Sequence, residues 1–227
     1  EELTPTGWGP RSTGSYVFTM RVPHACNQCV TLPAMKAMNG SARIVSYLIA
    51  NTTEEDPMIY QIVVPQFCKM LGNLLAILNK AAAHAEVKKF EMDVLLQARL
   101  SPDQLNLIFQ VQTACDTAKL GAARLIGKEE GAPHHPDTEQ TLAELKTRIE
   151  SVIAYLRGLS ETDFADAAKR RISQPRWKGK TLSGEEFCLQ HAVPNLYFHV
   201  TTTYAILRHN GVEIGKKDYL GALPYQE

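Results

Sequence analysis

A chain of 227 residues is long enough for one sizeable domain and short for two. Its 44% hydrophobic and 21% charged residues are globular proportions, and 24 basic against 24 acidic side chains leave a formal charge of zero. That balance lacks the positive footprint of nucleic-acid binding and offers no polybasic arm to a membrane, so neither partner is expected.

Along the chain, no uninterrupted apolar run reaches the roughly 18 residues of a membrane span. The opening EELTPTGWGP carries no apolar core of a secretory signal, so none is expected. Residues 1–57 hold Pro5, Pro10, Pro23, Pro33 and Pro57 without sustained periodicity. They read as an irregular or partly ordered N-terminal extension, with Ala42–Ala50 as one short helix or strand, ahead of a helical domain at 58–227. Inside the extension, Cys26 and Cys29 stand beside His24 at metal-like spacing. A structural zinc site needs four ligands, and no second Cys/His pair lies at finger-like distance, so free thiols are the favoured reading. Five cysteines are an odd count for a disulfide framework, which points to a reducing, cytoplasmic setting.

From Met58 the pattern becomes helical. A first helix is expected from about Ile59 to Ala85, because Phe67, Leu71, Leu74, Leu78 and Ala81 recur at spacings of four and three. A second is announced by Ser101-Pro102-Asp103-Gln104, which has the residues of a capping box with proline at the first helical position. Its inner stripe is Leu107, Val111, Ala114, Ala118, Ala122 and Leu125, and it ends at Gly127. A third is expected to start at Asp137 with Gln140, carrying Leu142, Leu145, Ile149, Val152 and Leu156 before Gly158. A β-hairpin or long loop then fits between Arg170 and Leu182. Ser183 and Glu186 form a capping box that opens a fourth helix, interrupted at Pro194 and closed by Asn210-Gly211. The expected architecture is all-α, a four-helix bundle with a short β-hairpin or loop insertion before the last core helix.

The last helix carries polar residues on its inward side. With Asn195 at 0°, His199 falls at about 40° and Thr203 at about 80°, among Leu196, Val200 and Leu207. Burying an imidazole and a hydroxyl without partners costs a few kcal/mol, so they must meet each other, another helix, water, a ligand or a metal. A satisfied core network and a ligand site are both compatible with that placement. Tyr197 and Tyr204 are ordinary core or interface aromatics whose hydroxyls can also serve a pocket. His134 and His135 lie in a polar loop and read as solvated.

The segments HAVPNLYFHVTTTYAILRHNGVEIGKKDYLG, MLGNLLAILNKAAAHAE and QVQTACDTAKLGAARLIG resemble an uncharacterised family of the DinB/YfiT-like superfamily. The resemblance covers about Met58 to Gly221. It implies an up-down-down-up bundle, a homodimer, and a divalent metal such as zinc or nickel held by three histidines. It also implies kinship with thiol-dependent transferases or isomerases. His199 stands twelve residues before Gly211 and matches the second histidine of the superfamily pair on this helix. Asn195 occupies the place of the first. The third ligand is expected on the second helix near Gln112, with Asp116 and Cys115 as metal-capable neighbours.

These residues define two expectations. In one, His199, Asn195 and Asp116 are catalytic, with His199 as acid/base or residual metal ligand. Gln112, Thr203 and Tyr204 then line the binding pocket of a small polar molecule. In the other, the chain is a non-catalytic small-molecule-binding or structural dimeric bundle with a satisfied polar core.

Overall fold

The computed structural model describes residues 58–226, and the expected extension, Ala42–Ala50 and the His24/Cys26/Cys29 group lie outside the described residues. Helix α1 runs Met58–Lys88 and a short α2 spans Asp93–Leu96. Helices α3 and α4 cover Leu107–Ile126 and Leu142–Arg157. Strands β1 (Arg171–Ile172) and β2 (Leu182–Ser183) pair antiparallel, Arg171 opposite Ser183. Helix α5 follows over 184–209 and a short α6 closes the fold at Lys216–Leu220.

Four long helices make the bundle, each packed on two neighbours: α1 on α4 and α5, and α3 on the same two. Side-chain contacts give their directions. Gln110 meets His199 and Thr117 meets Asn195, so α3 and α5 are antiparallel. Gln66 meets Tyr197, and Gly211 lies beside His84, so α1 and α5 are parallel. After α3 the chain doubles back along it, Lys119 touching His135 and Gln112 touching Glu139. Helix α4 then runs the same way as α3, and Lys128 beyond the end of α3 reaches Asp163 beyond the end of α4 at 2.8 Å. The order is up-down-down-up, as the resemblance implies.

The seams expected from the sequence form the core. Phe67, Leu71, Leu74 and Leu78 of α1, Leu107, Val111, Leu125 of α3, and Leu145, Ile149, Val152 of α4 are wholly buried. Each aliphatic or aromatic side chain so buried stabilises the bundle by about 1.5–3 kcal/mol before entropy is counted. By length and composition α1 would also pass for a membrane span, contrary to the reading of uninterrupted apolar runs; half of its most apolar window is buried inside the bundle, as in a core helix.

Two helix starts differ from expectation. Ser101–Gln104 is a turn, in which Ser101 bonds Asp103 and the Gln104 side chain accepts from the Leu100 N–H. Helix α3 begins only at Leu107, where the Asn106 Oδ1 accepts from the Phe109 N–H at 3.2 Å. Helix α4 is capped by Thr141 and Glu144 rather than Asp137 and Gln140. Asp137 instead adopts a left-handed φ of 58° and pairs with Arg148.

The Ser183–Glu186 capping box opens α5 as expected. A wide π turn at Cys188–Ala192 precedes Pro194, and another at Ile62–Gln66 contains Pro65. A proline has no N–H to donate into the preceding turn, and the wider ring accommodates the missing bond.

Candidate functional site

The inward polar residues do not gather into one cluster. Helix α3 divides them between two sides. Towards α5, the Asn195 Nδ2 donates to the Thr117 Oγ1 at 2.7 Å, and the His199 Nδ1 lies 2.8 Å from the Gln110 Oε1. Gln110 Nε2 donates to the Leu105 carbonyl, which fixes the orientation of that amide. His199 Nδ1 therefore carries the proton and Nε2 the lone pair. Burial holds the His199 pKa below the ordinary 6.5, so the ring is neutral at physiological pH.

Towards α4, Gln112 donates to Glu139 at 2.9 Å, and Asp116 accepts from Arg148 at 2.7 Å and Lys119 at 2.9 Å. Lys119 also touches the His135 Nδ1 at 2.8 Å, so His135 is bonded to the bundle rather than solvated as expected. Gln112 is thus turned away from His199, and the α3 residue that meets the imidazole is Gln110. Cys115 is buried among these groups, and desolvation pushes its thiol up to about 12, which leaves it an inert core residue.

Thr203 and Tyr204 are placed elsewhere. The Thr203 hydroxyl donates to the His199 carbonyl one turn back at 3.0 Å. Tyr204 lies on another side of α5, edge-on to Tyr219 of α6 at 6.0 Å.

Asn195 and Asp116 do share a hollow. A cavity of about 170 Å³ opens between the middle of α3, the first turns of α5 and the β1–β2 connection. Asp116, Thr117 and Arg124 come from α3, His191 and Asn195 from α5, and Gln174 and Arg176 from the connection. His199 does not line it. Larger hollows beside Arg148 and beside Cys68 are more open to solvent.

His191 is held tightly. Its ring stacks on Phe187 at 5.2 Å and meets the edge of Trp177 at 5.3 Å. Arg176 Nη2 lies 2.8 Å from Nε2, and a guanidinium only donates, so Nε2 accepts and Nδ1 bears the hydrogen. Burial first, then the charges of Arg176 and Arg124, hold this imidazole below its ordinary pKa.

Four buried polar side-chain atoms lack a hydrogen-bond partner among the described residues, and two of them, Gln174 Nε2 and His191 Nδ1, belong to residues lining this one cavity. On sequence His191 is only a weaker candidate, eight residues before His199 and across the Pro194 interruption, and Gln174, Arg176 and Arg124 are missed altogether. The available signal was a polar stripe on α3, Thr113, Asp116, Thr117 and Arg124, running beside the apolar one.

A family model for a domain of unknown function, DUF1993, matches residues 59–220. The chain belongs to this family. A crystal structure of a DinB family member from Shewanella denitrificans is 65% identical, covering 75% of this chain and 96% of that one, with a TM-score of 0.73. No curated protein matches the chain.

The three-histidine metal centre implied by the superfamily resemblance does not fit the residues of this DUF1993 member. Asn195 turns its amide nitrogen to Thr117, and Gln110 uses its oxygen to accept from His199. An amide nitrogen has no lone pair to give a metal, and neutral amide oxygens are weak partners for zinc or nickel beside imidazole. Among the described residues no three His, Cys, Asp or Glu side chains are grouped as a ligand set.

Proposed function

We propose that this DUF1993 protein is a ligand-binding bundle for a small polar molecule, with its site in the cavity bounded by α3, the β1–β2 connection and the start of α5. The observation that carries this reading is that two residues lining one cavity, Gln174 and His191, each hold a buried side-chain N–H without a partner among the described residues, at Nε2 and Nδ1. A buried donor left unsatisfied costs about 1–3 kcal/mol. Two of them, in residues that line the same cavity, are best explained by a ligand that satisfies both. The volume of about 170 Å³ suits a molecule of a few heavy atoms rather than a nucleotide or a drug-sized ligand.

The reading retains Asn195 and Asp116 from the residues singled out in the sequence and moves the imidazole of interest from His199 to His191. It favours binding over catalysis. Both nitrogens of His191 are committed, one to Arg176 and one to the ligand, which leaves no lone pair for proton abstraction.

The test is a ¹H–¹⁵N NMR titration of the full chain with a panel of small polar metabolites. Shifts concentrated at Gly121, Gln174, Ala192 and Asn195 support the site. Shifts centred on His199 and Gln110, or none in the cavity with any compound, overturn it.

A further inference from the structure

Resting on that reading, we infer that the ligand is a compact oxyanion, a carboxylate or phosphate group, bound by Gln174, His191, Arg176 and Arg124. Hydrogen-bond polarity points to an acceptor. Both unpartnered groups are donors, and Gln174 is only 8% exposed, so its amide cannot turn to bulk solvent for an acceptor. The tautomer of His191 is fixed from the other side of the ring, because Arg176 occupies Nε2. A ligand that satisfies both must present lone pairs, as the oxygens of a carboxylate or phosphate do.

Charge points the same way. Arg124 gives only its Nε to Glu129, at 3.0 Å, and Arg176 forms no ion pair among the described residues. The one carboxylate among the residues lining the cavity, Asp116, is already held by Lys119 at 2.9 Å and by Arg148 at 2.7 Å, the latter shared with Asp137 and Glu139. Arg124 and Arg176 thus face the cavity as its remaining charges, and the His191 imidazole, held below its ordinary pKa first by burial and then by the charges of Arg176 and Arg124, lies in their positive field. A small amine would meet that field unfavourably and would have no lone pair for the two donors.

The donors are also assembled in advance. The four donors come from α3, the β1–β2 connection and α5, three stretches remote in sequence. The stacking of His191 on Phe187 and its edge contact with Trp177 fix its direction before any ligand arrives. Preorganisation of that kind reduces the entropy lost on binding.

The experiment uses the full chain with three probes at constant ionic strength: inorganic phosphate, propionate and methylammonium. Calorimetry gives affinity, and ¹H–¹⁵N NMR gives location. Phosphate or propionate should shift Gln174, Arg176 and His191 while methylammonium does not, and whichever anion binds tighter identifies the source of the oxyanion. Arg176→Gln, on an exposed side chain whose loss leaves folding intact, should weaken the anion about tenfold. Gln174→Leu should weaken it similarly while leaving the ligand-free Tm unchanged or raised, because an unsatisfied donor is removed; a purely structural glutamine would instead lower Tm.

Cavity shifts with a neutral metabolite or methylammonium but with neither anion would overturn the oxyanion and leave the binding site standing. Anion binding undiminished in both variants would overturn the residue assignment. Silence of the cavity to every probe and metabolite would overturn both.

Discussion

Replacing Arg148 by methionine should be the most destabilising single change on the polar side of α3. The guanidinium is 1% exposed and bonds Asp116 at 2.7 Å, Asp137 at 2.6 Å and both oxygens of Glu139 at 3.1 Å. Methionine matches its stem and removes its charge, which leaves Glu139, itself 11% exposed, and Asp116 with Lys119 as the remaining cation. Breaking a buried ion pair from one side costs about 3–5 kcal/mol. The lower end applies here, because Asp116 and Asp137 are 31% and 54% exposed and water screens what they lose. The expected loss is about 3 kcal/mol, or a Tm lower by about 6–12 °C in a chain of this size.

Urea unfolding followed by circular dichroism, with calorimetry for Tm, measures the effect. Arg148→Lys should lose about 1–2 kcal/mol, since it keeps the charge and forfeits the planar fork. The acid limb adds a second reading. Burial pushes the Glu139 carboxyl up, but hydrogen bonds from Gln112, a backbone N–H and Arg148 outweigh it and leave its pKa below the ordinary 4.5. The stability so gained is present above about pH 4.5 and lost as pH falls through the folded value, so acid sensitivity in that range should flatten in Arg148→Met. A loss under about 1 kcal/mol, with an unchanged acid limb, would refute the reasoning: desolvation of the guanidinium would then already cancel its ion pairs.

Three further outcomes are expected. The neutral, buried His199 contributes stability that is complete above about pH 6.5 and is lost as pH falls through its lower folded pKa. Between pH 7 and 5 the wild-type Tm should therefore fall faster than that of His199→Asn, and an NMR-titrated His199 pKa above 6.5 would contradict this. A double-mutant cycle of Asn195→Ala with Thr117→Val should return a coupling of about 1 kcal/mol for their 2.7 Å hydrogen bond; a value near zero would show that the contact does not hold in solution. Gly184→Ala should cost about 3 kcal/mol in urea unfolding, because the added Cβ collides with the Ala167 carbonyl oxygen at the base of the hairpin. A near-neutral result there would mean that the hairpin and the start of α5 are free to separate.

The bundle was legible because its signals are local and redundant. The Leu142–Leu156 seam, Gly127 at φ 69°, Gly211 at φ 85° and the Ser183–Glu186 box each work through neighbours within a turn or two. Capping motifs failed where two lay in tandem. Asp137 and Gln140 have the right spacing, but Thr141 and Glu144 abut the first apolar residue of the stripe, and Arg148 draws Asp137 away. At Ser101 the box residues form their own turn, and the helix waits for Asn106. The site was harder to read because on a helix a two-residue error is a rotation of about 200°. Counting to Gln112 rather than Gln110 moves an amide from the α5 side of α3 to the α4 side. Gln174 and Arg176 carry no periodic signal at all, since they sit in an irregular connection and acquire meaning only beside His191.

Asp116 joins the two halves of the polar design. It stands on the wall of the cavity, yet its carboxylate is bonded to Arg148 and Lys119 on the α4 side. The α4 network therefore bears on the cavity without lining it: Lys119 and a share of Arg148 hold the Asp116 carboxylate, which leaves the arginines at 124 and 176 as the charges a ligand anion meets. Removing Arg148 leaves Lys119 as the one cation against Asp116, Asp137 and Glu139, so the cavity field weakens although no ligand-facing donor is lost. Anion affinity in Arg148→Met should then fall even under conditions where the variant is fully folded, with the NMR shifts still centred on Gln174 and His191. An unchanged affinity in the folded variant would mean that the cavity draws its positive field from Arg124 and Arg176 alone, and that the network around Arg148 serves only to fasten the returning loop to α3.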